Sequence, residues 1–266
     1  CYPVTYAAYP DETPVFRGSV PMVGWREAVA NGVAVWECDV SVHLERHGTF
    51  SSLFVGDERR PRCRYPKEGF LQVHDIPGVG EGFDLYGKAT SYFDFAEGDL
   101  EQWDSLVGSE VVVKHLWIEE RLPVRAVDWE RRRLYFERSS IFVMSSAHGP
   151  EGADYWLEHV GETCTAPGEW FLDRDAGLLR YVPKEGECIE DCDIHVPIIS
   201  QFVRFHGMPE ENRLVRNICL RGLSFECADW FQGGEWDRVF DPHTTGGQTM
   251  YDPSYRVPGS LPDPKR

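Results

Sequence analysis

The residues Trp170–Val182 fix more about this chain than any other stretch, because they carry a strand–turn–strand pattern whose register can be read directly. Trp170 and Leu172 alternate with neighbours that are polar or face the other way. Asp173-Arg174-Asp175-Ala176-Gly177 then supplies turn formers and a glycine able to take positive φ, and Leu179 and Tyr181 alternate back. The pattern predicts an antiparallel hairpin with Trp170, Leu172, Leu179 and Tyr181 on one buried face. A chain containing such a unit needs a sheet to put it in.

The rest of the sequence has the same grammar. No window of 11–18 residues keeps a helical apolar stripe free of Gly or Pro. Period-two runs predict strands at Val33–Val40, Phe50–Val55, Val111–Ile118, Pro123–Val127, Leu134–Glu137, Trp170–Asp173 and Leu178–Val182. Gly56-Asp57 and the segment Asp128–Arg133 read as hairpin turns. Only Ala89–Phe95 and Leu100–Leu106 could hold a turn or two of helix, the second capped by Asp99. Unaided, these patterns give an all-β protein with more than one sheet. At 266 residues, with 42% hydrophobic residues, it is long enough to bury a large core.

Several segments are similar to one group of proteins. Tyr155–Pro183 resembles the segment YLENVPEALDEPGEWYLDRKTGTLYYLP of large right-handed parallel β-helix proteins of carbohydrate metabolism, including glycoside hydrolase family 141. Val4–Phe16, Leu53–Pro66, Val127–Phe136 and Arg216–Glu226 resemble other parts of the same proteins. The resemblance implies partial β-helix rungs at 1–18, an inserted β-sandwich-like domain at 19–200, and further partial rungs with a loop-rich tail at 201–266. A rung cannot bury its inner face alone, so the remaining β-helix of a longer parent chain is the expected partner of these stubs. That parent is expected to be secreted or attached to the cell envelope, with any export signal upstream.

Function follows the same line. The implied activity is that of a glycoside hydrolase acting on a polysaccharide or oligosaccharide, with the catalytic acids on rungs that match nothing here. The alternatives are a non-catalytic carbohydrate-binding or structural β module and, less favoured, a polysaccharide lyase. The formal charge of −17, from 27 Lys+Arg against 44 Asp+Glu, disfavours nucleic acid and points to a neutral or mixed polysaccharide. A local basic groove could override that field, and the places to look are Arg59–Arg64 and Arg131–Arg133. No run of residues is long and apolar enough to span a membrane.

Candidate substrate-binding residues are Asp229, Trp230, Trp236 and His243, where a carboxylate stands beside indole rings able to take the C–H face of a pyranose. The competing reading has the aromatics closing the β-helix core. His159 reads as a hydrogen-bonded edge residue, since the resembling proteins carry Asn there. Asp173 and Asp175 read as turn residues, not calcium ligands. Ser145, Ser146 and His148 lack the strand–turn–helix setting of a nucleophilic serine. No metal site and no cofactor is expected. The eight cysteines show no disulfide framework and are expected to be mostly free and half-buried.

Overall fold

The computed structural model describes residues 2–76, 90–115, 119–140, 142–146 and 151–229. They form an all-β structure with one short α-helix, Ser41–His47, and three 3-10 turns. The predicted hairpin is present in the predicted register. Trp170–Asp173 runs antiparallel to Leu178–Tyr181, with Trp170 opposite Tyr181 and Leu172 opposite Leu179. Gly177 takes φ +63°, and a Cβ there would press on the Ser41 backbone at 3.1 Å. Gly56, at φ +58°, turns Leu53–Val55 into Glu58–Arg60.

Two four-stranded sheets share a core. One has the order Trp170–Asp173, Leu178–Tyr181, Val33–Asp39, Arg26–Ala30; the other has Ser19–Pro21, Ile194–Pro197, Leu53–Val55, Glu58–Arg60. Trp36, Cys38, Trp170, Leu172, Leu179 and Tyr181 from the first meet Leu53, Ile194 and Val196 from the second. All four hairpin residues named from the sequence lie in this one cluster, fully enclosed. Each such side chain stabilises the fold by roughly 1.5–3 kcal/mol. The opposite face of the hairpin buries Phe171 with Val35, Cys63, Cys164 and Val182.

The third sheet has seven strands and its own core. Its order is Tyr92–Asp94, Arg133–Phe136, Glu119–Asp128, Glu110–Lys114, Asp154–Glu158, Arg64–Tyr65, with Leu71–Gln72 also on Asp154–Glu158. Residues 71–75 bond both to this strand and to Asp94, so the sheet curls round Phe93, Leu122, Leu134, Phe136, Tyr155 and Leu157.

The ends of the described chain pair differently. Val4–Ala7 runs parallel to Ile218–Arg221, and Val15–Arg17 parallel to Ser224–Glu226. These four strands are largely exposed, although they carry Tyr6, Phe16, Ile218, Leu220 and Phe225.

Two local expectations change. Within Ala89–Phe95 the residues Tyr92–Asp94 are a strand, because Phe93 and Phe95 alternate with half-exposed neighbours and both enter the core. Leu100–Leu106 contains only the 3-10 turn Asp104–Leu106, while Asp99 accepts the Ala96 N–H at 3.2 Å and closes the turn before it. The seven described cysteines have free thiols. Cys38, Cys63 and Cys164 are fully buried, and Cys188 and Cys219 are exposed.

Candidate functional site

The run Glu58–Tyr65 passes through all three antiparallel sheets. Glu58–Arg60 is an edge strand of one, Arg62 bridges to Trp170 in the second, and Arg64–Tyr65 is an edge strand of the third. Where it crosses, the sheets leave a cleft of about 540 Å³, lined by Arg59, Arg60, Pro61, Arg62, Arg64, Lys67, Arg121, Trp156, Glu158 and Glu169. That volume lies within the ordinary range for small-ligand sites.

Strand register explains the floor of the cleft. Glu110 and Glu158 stand directly opposite each other on neighbouring antiparallel strands, an arrangement that is unfavourable for two carboxylates alone. Arg62 and Arg121 reconcile them. Arg62 Nη1 donates to Glu110 Oε2 at 2.7 Å and lies 3.7 Å from Glu158 Oε2. Arg121 Nη1 bonds Glu158 Oε2 and lies 3.8 Å from Glu110 Oε2. The four side chains are only 8–14% exposed. Burial works against the Glu158 carboxylate, but the Arg121 and Arg62 guanidiniums outweigh it and hold its pKa below the usual range. The Trp156 indole N–H also donates to Glu158, at 3.0 Å.

The walls are equally fixed. Arg60 is clamped by Glu58 and Glu187. The Glu169 carboxylate accepts the backbone N–H groups of Arg64, Thr165 and Ala166 and the Lys67 ammonium. The Arg64 guanidinium lies over the Trp156 ring, 4.7 Å from its centroid. Arg59 is exposed at the mouth. Partial desolvation lowers its pKa against the pull of Asp229, with Arg121 and Arg62 acting in the same direction as the desolvation and Glu158 opposing it.

A glycosidase pair needs one carboxyl whose pKa is raised so that it can act as an acid, and Glu158 is shifted the other way. Burial does raise the Asp99 carboxyl, next to Tyr155, where it closes the Ala96–Asp99 turn.

Of the residues proposed from sequence, Asp229 is described. Its two oxygens accept the Ser51 N–H at 2.9 Å and the Ser51 hydroxyl at 2.8 Å, and its own N–H donates to Ile199. It lines a smaller hollow of about 310 Å³ with His47, Thr49 and Ser200. Trp230, Trp236, His243 and His148 lie outside the described residues. His159 is buried with φ +66°, a conformation in which Asn is common, and its Nε2 bonds the Leu172 carbonyl at 3.0 Å. Burial, with Arg62 and Arg174 nearby, pushes its pKa well down and keeps the ring neutral. Asp173 accepts the Ala176 N–H as a turn residue. Among the described residues no three His, Cys, Asp or Glu side chains are grouped to hold a metal, and no helix is long and apolar enough to cross a membrane.

Sequence reasoning named Arg59–Arg64 as a place to look, but missed Glu110, Arg121, Trp156, Glu158 and Glu169. Their assembly depends on which strands become neighbours, and spacing along the chain does not carry that.

No family model matches the chain, and no curated protein matches it. Its fold is similar to that of a solved glycoside hydrolase. The TM-score is 0.65 at 20% sequence identity, and the match covers 92% of this chain and 41% of that one. At that identity the likeness is one of fold.

Proposed function

We propose that this chain is part of a longer carbohydrate-active β-helix protein of the glycoside hydrolase type, and that it contributes sugar-binding surface while the bond-cleaving acids lie on rungs outside it. The observation that carries this reading is the pair of parallel strand pairings, Val4–Ala7 with Ile218–Arg221 and Val15–Arg17 with Ser224–Glu226. Parallel sheets are normally covered on both faces. Here Tyr6 is 59% exposed and Phe16 49%, as expected of rungs that need neighbours. The antiparallel strands run from Ser19 to Pro197 between these pairs, which supports the division into 1–18, 19–200 and 201–266. The likeness to a solved glycoside hydrolase over 41% of its length supports the larger assembly.

One observation favours the non-catalytic reading for the chain taken by itself: the cleft's Glu158 is held ionised by two arginines. The 266-residue protein is therefore expected to release no reducing ends from polysaccharides. Asp99→Asn and Glu158→Gln are the informative variants. Turnover that either one, or any other single Asp or Glu substitution, abolishes would place an active site inside this chain and refute the proposal.

A further inference from the structure

We infer that Cys63 and Cys164 are a redox-modified pair: in an oxidising environment their sulfurs join in a disulfide that ties the run Glu58–Tyr65 to the turn Gly161–Thr163. The two residues stand 101 positions apart in sequence, yet both are buried, at 0% and 1% exposure, in one apolar cluster with Val35, Phe171 and Val182. Backbone hydrogen bonds hold each in place. The Cys63 N–H donates to the Trp170 carbonyl at 3.1 Å, and the Cys63 carbonyl accepts the His159 N–H at 2.9 Å. The Cys164 N–H donates to the Gly161 carbonyl at 3.1 Å and closes the 3-10 turn. Between them, the Cys63 thiol donates to the Val160 carbonyl at 3.3 Å, and the Cys164 thiol hydrogen-bonds to the Cys63 sulfur. Other described thiols meet oxygen instead: Cys38 the Val23 carbonyl, Cys188 the Glu190 carboxylate.

The bond leaves nothing buried without a partner. Val160 loses a thiol donor, but its carbonyl still accepts the Thr163 N–H at 3.1 Å and the Thr163 hydroxyl at 2.9 Å. The step is an exchange with a disulfide donor of the oxidised-glutathione class. The Cys63–Cys164 S–S bond forms as the donor's S–S bond breaks; the two cysteines give up two protons and two electrons, and the donor leaves as two thiols. Exchange starts from a thiolate, and the hydrogen bond to Cys63 together with burial keeps the Cys164 thiol protonated in the folded protein. The bond therefore forms while the chain is folding, and the closed core then shields it from thiols in solution. Its position has a consequence for the fold. Every described strand of the seven-stranded sheet, from Arg64–Tyr65 to Asp154–Glu158, lies between the two cysteines in sequence. The disulfide closes that whole sheet into one covalent loop at its base, and a loop of this length restricts the unfolded chain strongly.

Disulfide mapping tests this. The 266-residue protein is prepared once from a reducing and once from an oxidising host compartment, unfolded in the presence of an alkylating agent, digested and weighed by mass spectrometry. The expected result for the oxidised preparation is a linked pair of peptides holding Cys63 and Cys164, lighter by two hydrogen atoms than the free peptides together, with Cys38 alkylated. Its urea midpoint should lie higher than that of the reduced preparation by roughly 1 M. Cys164→Ala should abolish both the linked pair and the difference in midpoint. Cys63 and Cys164 recovered alkylated from the oxidised preparation, or either one linked to a different cysteine, overturns the inference, and so does an equal midpoint in the two preparations. The mapping uses the unaltered protein, so it decides the matter even where Cys164→Ala does not fold.

Discussion

Arg62 helps to set the charge state of two consecutive residues. With Arg121 it keeps Glu158 ionised against the cost of burial, and next door it adds to the burial that keeps His159 neutral. The consequences for acid stability share a sign but differ in range. His159 has a folded pKa below its ordinary 6.5, as does His43 through burial, so below about that pH the unfolded chain binds protons that the folded one does not. Glu158 adds stability that is complete above the ordinary 4.5 and drains as pH falls through its lower folded value. The urea midpoint should fall in two stages on acidification. Glu158→Gln should cost about 3 kcal/mol near neutral pH, because it leaves buried arginine charge short of a partner, and should flatten the lower stage. A midpoint independent of pH between 7 and 3, or an unchanged lower stage in Glu158→Gln, would show that the cluster is not the acid-sensitive element.

At the scale of single elements, legibility followed period-two patterning. The Trp170–Tyr181 hairpin was readable to the residue because alternation, turn chemistry and a positive-φ glycine agree. Trp170→Ala should therefore cost roughly 3–5 kcal/mol by chemical denaturation, and a loss under 1 kcal/mol would mean that the hairpin packs elsewhere. Tyr92–Asp94, where the sequence allows a turn or two of helix, is a strand, and the alternation of Phe93 and Phe95 with half-buried neighbours is the better signal. The helix Ser41–His47 was not anticipated at all. It is seven residues long and buries only His43, so its sequence carries no apolar stripe; its start is marked only by Asp39, whose carboxylate accepts the Ser41 N–H at 2.9 Å. A tertiary contact fixes its start: the Val40 N–H donates to the Gly177 carbonyl in the hairpin turn.

At the scale of the whole molecule, a formal charge of −17 does not say where the cations sit: the crossing of three sheets gathers six of them into one cleft, where Glu58, Glu110, Glu158, Glu169 and Glu187 answer Arg60, Arg62, Lys67 and Arg121. The arginine run was visible in the sequence. Its partners Arg121, Trp156 and Glu158 come from strands 57–99 residues further on, and only the pairing of Glu110–Lys114 with its two neighbours brings them together. The two short parallel strand pairs leave no periodic signature of their own in the sequence. The account turns on the two parallel strand pairs being rungs that need neighbours. Amide hydrogen exchange of the 266-residue protein measures this most directly. Weak protection of residues 4–17 and 218–226 beside strong protection of residues 170–181 is the predicted result; equal protection of the two would contradict it.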